Sequence, residues 1–415
     1  MTKQNEANEL AMRVREILLE YGDMSAEAYD RLDVPNKPGR MRLMKHIGGW
    51  RDVKKMAMED QTAGLCTEYL KKQNERLLSQ LDRQRNVNHI IIENCLAAIS
   101  KCSFRQAKIP PPEKSTVHPQ RFHAMKSDDH VGELVDPAWV QGVAVYNMDV
   151  FRQRLELWAQ KVAMFREQDK AALGLNVLEL HMLGDHITGE TIYRGQAWNI
   201  DAPLIDQLLV CVNEYTNTLL YLAGIFPEIE IFTVIGNHGR HGKKGEGHPR
   251  TNFDYLFYKM LQKALERQEN VRMFVSESPT MLVQFDQYNF ALNHNDDTRG
   301  WNGIPYYGLD RKARRLPKLY NMPIHLFLGG HFHSPANLND ETLLNGTMVG
   351  GSDLSVNKMR VASRASQKIF YQDRDNGLHR VSNIYLSEPR TSPLTSTGFT
   401  PRTHNRHPIT VANKQ

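Results

Sequence analysis

Cysteine is scarce in this chain: four in 415 residues, at Cys66, Cys95, Cys102 and Cys211, with no CxxC pair among them. That argues against a disulfide framework and a thiolate zinc site, and predicts reduced, buried thiols. Long apolar runs are absent as well. No stretch approaches the roughly 20 residues that cross a bilayer, and the polar start MTKQNEANEL lacks the apolar core of a signal peptide. A cytoplasmic protein with no membrane partner is expected. Nor is there a large charge of one sign: a net +5 is too small to identify a nucleic-acid partner by itself. What is present, 40% hydrophobic and 24% charged residues, is ordinary globular composition, and the length suffices for two or more domains.

Residues 1–57 read as a small all-helical unit. Leu10, Val14, Ile17 and Leu18 recur at helical spacing, YGDMS and VPNKPGR interrupt the pattern, and three short helices fit. From Lys37 to Lys55 there are seven Lys or Arg against the single acid Asp52. Arg40, Arg42, Lys45, Arg51, Lys54 and Lys55 are therefore candidate DNA contacts on a phosphate-facing helix pair, with a solvated basic face as the plainer alternative. The stretch HIGGWRDVKKMAM resembles the small helix-turn-helix repeats appended to phage nucleases and homing endonucleases. Residues 58–106 predict a connecting helix, with a homodimer contact left open. AKIPPPEKSTVHP, residues 107–119, reads as a proline-rich linker. Residues 388–415, rich in Thr, Pro, Ser and Arg, predict a disordered tail.

Between linker and tail, residues 120–387 change rhythm. Helical patterns at 149–168 and 201–226 alternate with the apolar runs NVLELHML, IEIFTVI, YNFALNH and IHLFLG, which implies an α/β layered domain. The ends of these runs carry hard oxygens or imidazoles. Near 122–130, FHAMKSDDH delivers Asp128 and His130; LELHMLGDH delivers Asp185; IEIFTVIGNH delivers Asn237 and His238; YNFALNH ends at His294; and LFLGGHFHSP offers His331 and His333 after two glycines. Carboxyl ends of strands in a layered sheet open onto one crevice, so these residues can converge. Asp128, His130, Asp185, Asn237, His294, His331 and His333 are about what two divalent ions need, with one carboxylate bridging and water filling the rest. Ligands without thiolate suit Mn²⁺, the ion expected here, as well as Fe²⁺, Zn²⁺ or Ni²⁺. The last segments, NGTMVGGSDLSVNKMRVASRASQKIFYQD and HRVSNIYLSE, read as strands that close the second sheet.

The order D-x-H, G-D, G-N-H, H, G-H-x-H resembles the calcineurin-like metallophosphoesterase superfamily over about residues 122–335. The resemblance implies a two-layer β-sandwich flanked by helices. It also implies that Asp128, His130 and His333 hold one ion with a bridging Asp185, while Asn237, His294 and His331 complete the other. On this reading the glycines of the last block let the backbone turn tightly enough for each histidine to reach its own metal. Two such ions can clamp a phosphoryl group and lower the pKa of water, and His238 is the expected general acid or phosphate clamp. One position departs from the pattern: the superfamily has an acid after G-N-H that orients the histidine, and here Gly239 stands there. Asp129, Asp296, Asp297 and Glu190 are candidates to replace it.

Two basic segments follow ligand blocks. GNHGRHGKKGEGHPR contributes Arg240, His241, Lys243 and Lys244, and LDRKARRLPK contributes Arg311, Arg314 and Arg315; Trp301, between them, offers a face on which a base can stack. A dinuclear-metal-dependent phosphodiesterase acting on nucleic acid, DNA rather than RNA, is the leading expectation. A phosphomonoesterase or cyclic-nucleotide phosphodiesterase, and a non-catalytic nucleic-acid-binding scaffold, are the alternatives.

Overall fold

The computed structural model describes residues 3–58, 63–114, 118–242, 247–299 and 303–387, the side chains of 63–70, 81 and 83–88 excepted. The expected tail at 388–415 lies outside the described residues. The chain divides into two compact units, 1–91 and 92–415.

The first unit has four short helices where three were expected: α1 (Lys3–Tyr21), α2 (Ala26–Arg31), α3 (Arg40–His46) and α4 (Trp50–Met58), before the long α5 (Ala63–Ser100). A single-turn helix such as α2 carries too few residues to show an apolar period. It is held by its ends instead: Ser25 Oγ accepts from Ala28 N at 3.2 Å, and the Lys37 ammonium donates to the carbonyls of Tyr29 and Asp30 at 2.9 and 3.0 Å. Leu10, Val14, Ile17 and Leu18 form a core with Tyr29, Leu43 and Val53. Of the candidate DNA contacts, Arg40 pairs with Asp30 at 3.0 Å, Arg42 with Glu6 at 3.0 Å and Lys54 with Asp23 at 2.7 Å. Lys45, Arg51 and Lys55 are exposed.

The second unit is a mixed α/β structure of two sheets flanked by helices. One sheet runs in the order β11-β10-β1-β2-β3-β4, with β1 (Arg121–Lys126), β2 (Val177–Met182), β3 (Glu228–Thr233), β4 (Val271–Val275), β10 (Ser366–Asp373) and β11 (Gly377–Tyr385). The other runs β5-β6-β7-β9-β8, with β5 (Thr280–Phe285), β6 (Tyr288–Asn293), β7 (Leu326–Gly329), β8 (Ala336–Leu338) and β9 (Thr342–Leu344). Strands β1 to β4 are parallel, which requires crossovers; α6 (Met148–Leu173), α7 (Leu204–Ala223) and α8 (Phe253–Leu265) supply them. Strand β10 pairs antiparallel with β1. The terminal strands therefore extend the first sheet at its β1 edge and do not close the second, contrary to the expectation above.

Each sheet has a two-faced core. On the first, Phe122, Ala124, Leu178, Leu180, Ile229 and Ile231 pack under the helices. The intervening residues, such as Met125 and Phe232, meet Phe285, Phe290, Leu326, Leu328 and Leu343 of the second sheet. Helix α9 (Tyr306–Tyr320) covers the second sheet's far face through Leu309 and Leu316. Strands buried on both faces read as continuous apolar runs, which is why the sequence exposed β2, β3, β6 and β7.

Candidate metal centre

All seven candidate ligands follow the carboxyl ends of five strands: β1, β2, β3, β6 and β7. Strands β4 and β5, inserted between the third and fourth of these, carry none. Asp128, His130 and His333 bring their ligand atoms within 4.8 Å of one another, and so do Asp185, His294 and His331. A third group of the same size joins His130, Asp185 and His238. Asp128, His130, Asp185 and His294 are buried, while Asn237, His238, His331 and His333 are half-buried and form the mouth.

The backbone is forced into this arrangement. Asp128, His130, Asp185, His331 and His333 all have positive φ, between 47° and 75°. Left-handed backbone in a non-glycine residue is costly and clusters at functional sites, where surrounding contacts impose it. The glycines serve a different need from the one expected. Gly329 and Gly330 do not have positive φ; a Cβ on the first would overlap the Asn295 amide, and on the second would meet Asp128 Oδ2 and Ser127. They are glycines because other residues pass close by. Gly184 and Gly236 likewise touch each other's turns.

Several buried groups that the motifs do not mark hold these turns. The Asp254 carboxylate, at the start of α8, accepts from Asp185 N and Gly236 N at 2.9 Å and from His186 N at 3.2 Å. One side chain thereby ties the G-D turn to the G-N-H turn. Asp129, between two ligands, points away into the core and binds Lys126 Nζ, Tyr215 Oη and, at 2.6 Å, His186 Nδ1. Lys126 and Asp129 are both fully buried. Asp254 announces itself in the sequence only as an acid near a helix start, and Asp129 only as a second acid in D-D-H, so neither carried a usable signal.

His238 has an orienting partner, and it is none of the four acids considered. Its Nδ1 lies 2.9 Å from the Thr188 carbonyl, which fixes the proton on Nδ1 and leaves Nε2 toward the centre. Asp129 is committed to the core, Glu190 accepts from Leu204 N, and Asp297 pairs with Lys312 at 2.5 Å. An acid at 239 has no room: a Cβ there would overlap Asn252 Oδ1 and approach Asp254 N.

The donor set suits divalent cations. Asn237 Oδ1 is buried without a hydrogen-bond partner, and unpartnered buried polar atoms are rare unless something else satisfies them. His130 Nε2 and His333 Nε2 face each other at 3.0 Å, and His333 Nε2 lies 3.3 Å from Asp128 Oδ1. Burial lowers His331 to about 4, which keeps it a neutral donor. At His294 burial works the same way but is overridden by Asp185, 2.9 Å distant, which raises it to about 10. Asp185 also accepts from His238 N at 2.7 Å.

The expected substrate residues divide. Arg240 donates to the carbonyls of Asn237 and Ile192 at 2.7 and 3.1 Å, so it braces the G-N-H turn. His241 is exposed beside it. Arg311, Arg314 and Arg315 are exposed on α9, Arg314 in a two-fold contact with Asp310 at 3.0 Å. Lys312 points inward and donates to Asn293 Oδ1 at 2.7 Å and Asn295 Oδ1 at 3.2 Å, clamping the turn that carries His294. Lys243, Lys244 and Trp301 lie outside the described residues. No helix among the described residues is long and apolar enough to cross a membrane.

No protein-family model and no curated protein matches the chain. Solved structures do. A predicted phosphoesterase from Streptococcus pneumoniae is 12% identical with a TM-score of 0.26, over 65% of this chain and 99% of that one. Vps29 from Entamoeba histolytica, complexed with zinc, is 10% identical with a TM-score of 0.25, over 64% of this chain and 99% of that one. YfcE, a phosphoesterase from E. coli, is 15% identical with a TM-score of 0.25, over 64% of this chain and 100% of that one. All three are remote from this chain in sequence, at 10 to 15% identity.

Proposed function

We propose that the chain is a dinuclear-metal-dependent phosphodiesterase that hydrolyses nucleic acid, DNA in the first place. The observation that carries this reading is the convergence of the ligand atoms of Asp128, His130 and His333 and of Asp185, His294 and His331 at the carboxyl ends of strands from both sheets, with Asn237 Oδ1 left unpartnered. Asp128, His130 and His333 would hold one ion, Asn237, His294 and His331 the other, and Asp185 would bridge. When bound, such ions polarise the phosphoryl oxygens and make water a nucleophile near neutral pH.

The chain's own residues supply the rest. Asp254 and Asp129 hold the turns in register, so the ligands need no reorganisation. His238 keeps one proton on Nδ1 against the Thr188 carbonyl; as an imidazolium it carries a second on Nε2, which it hands to the departing oxygen. No side chain needs to act as a nucleophile. A polyanionic substrate is supported by the exposed Arg311 and Arg315 on α9, the helix whose Lys312 clamps the His294 turn.

The test is direct. Metal-stripped protein, with and without Mn²⁺, is given single- and double-stranded DNA, RNA, bis-p-nitrophenyl phosphate and p-nitrophenyl phosphate. Mn²⁺-dependent cutting of DNA and of the diester, lost in Asp185→Asn, is the expected result. Turnover of the monoester alone would make the protein a phosphomonoesterase, and inactivity on all substrates despite bound metal would make it a binding scaffold.

A further inference from the structure

Two imidazoles of the centre are oriented by backbone. His238 Nδ1 faces the Thr188 carbonyl at 2.9 Å, and His294 Nδ1 faces the Leu183 carbonyl at 2.7 Å, so in each the backbone holds a proton on Nδ1 and turns Nε2 inward, that of His294 to 2.9 Å from Asp185. His130 lacks this device. Its Nε2 points at His333 Nε2, 3.0 Å away, but its Nδ1 is buried without a hydrogen-bond partner. The residue is 1% exposed, so bulk water does not serve that nitrogen.

Glu133 stands beside it. Its Oε2 is 3.9 Å from His130 Nδ1, and its side chain is only 13% exposed, turned inward where an acid ordinarily turns to solvent. Its backbone has little freedom: Glu133 N donates to His130 O at 2.9 Å, and a β-bridge joins Glu133 to Ile200. Only side-chain rotation is left to it. Nothing in the D-x-H pattern marks this position, three residues beyond the ligand.

We propose that Glu133 is the positioning residue of His130: its carboxylate accepts the Nδ1–H and selects the tautomer whose Nε2 lone pair faces Asp128 and His333. This role presupposes the metal centre proposed above. Closing the gap to hydrogen-bond length takes about 1 Å of side-chain movement. A carboxylate on the outer nitrogen also makes the inner one a better donor to a cation.

The test titrates metal-stripped, full-length protein with Mn²⁺ by calorimetry, comparing wild type with Glu133→Gln and Glu133→Ala, while DNA cutting by wild type is followed in parallel. Loss of the acceptor in Glu133→Ala weakens Mn²⁺ binding by about 10- to 100-fold, whereas Glu133→Gln, whose Oε1 still accepts, stays close to wild type. Nitrogen-15 spectra of the metal-free protein give a second readout, with the His130 signal identified by its loss in His130→Gln. That signal reports an Nδ1–H imidazole in wild type and a tautomer mixture in Glu133→Ala; should the alanine variant unfold, Glu133→Leu takes its place. Unchanged affinity and unchanged tautomer in Glu133→Ala overturn the role, as does equal weakening in both variants. Wild-type protein that takes up no Mn²⁺ overturns the metal centre and this role together. Wild-type protein that binds Mn²⁺ with the expected Glu133 dependence but cuts no DNA supports the role and removes only the proposed substrate.

Discussion

His238 and Gly239 illustrate how one residue's space decides another's chemistry. In the function proposed above, His238, oriented by the Thr188 carbonyl, would deliver a proton, and the size of that contribution would depend on how poor the leaving oxygen is. His238→Ala should lower kcat on DNA by about 10²- to 10⁴-fold and lower it much less on bis-p-nitrophenyl phosphate, whose departing phenolate needs no proton. Equal losses on both substrates would assign His238 to phosphate binding. Placing an acid after the G-N-H block with Gly239→Asp should not improve activity. The new side chain would overlap Asn252 and Asp254, at a cost of about 1–3 kcal/mol, visible as a lower urea midpoint. A second buried site makes a sharper case. Lys126 and Asp129 are fully buried partners behind the D-x-H turn, so Lys126→Met leaves Asp129 without its cation and should destabilise by about 3–5 kcal/mol. A urea midpoint within error of wild type would mean that His186 and Tyr215 suffice to hold that carboxylate.

At the scale of elements, α9 has two faces with different tasks. Its inner face carries Leu309, Leu316 and Lys312; its outer face carries Arg311 and Arg315. Reversing the outer charges with Arg311→Glu and Arg315→Glu should weaken DNA binding and flatten its dependence on salt, by about one unit of slope for each phosphate no longer neutralised. Turnover of bis-p-nitrophenyl phosphate should stay near wild type, since neither residue touches the ligand turns. An unchanged salt slope would place the DNA path elsewhere, for instance over α3 and α4. There, Arg40, Arg42 and Lys54 are engaged with Asp30, Glu6 and Asp23, while Lys45 and Arg51 are exposed. Charge clustering in a sequence counts cations without counting the acids that folding brings opposite them.

At the scale of the whole molecule, the interface between the two sheets is apolar except for a few buried polar groups. His123 Nδ1 meets His181 Nε2 at 2.9 Å, His123 Nε2 meets Gln372 at 3.1 Å, and both rings stack on Phe370. Burial holds His181 down to about 3 and His123 well below its ordinary value. In the unfolded chain both titrate near 6.5. Below that pH the unfolded state takes up protons that the folded state refuses, so stability is lost as pH falls from about 6.5 toward 3. The urea midpoint should therefore drop between pH 7 and 5, and drop less steeply in His181→Leu. A parallel pH dependence in the two proteins would count against this origin.

The centre was the most legible part of the chain, because each ligand lies within a few residues of an apolar strand that its own pattern reveals. β1 was the faintest of these strands: its polar residues His123 and Lys126 look out of place until His181 and Asp129 are seen beside them. Strands β4 and β5 and the single-turn α2 offered too short or too half-buried a pattern to be read. The positions of β2, β3, β6 and β7 along the chain and the choice of seven candidate ligands follow from the sequence, because local periodicity and turn chemistry are local properties. Only the tertiary structure decided which edge β10 and β11 occupy, that Gly239 faces Asn252, that Arg240 braces a turn, and that Thr188, Asp254 and Glu133 stand behind the ligands. Most of those are contacts between residues tens to hundreds of positions apart, and their energies exist only once packing has brought the partners together and shut out water.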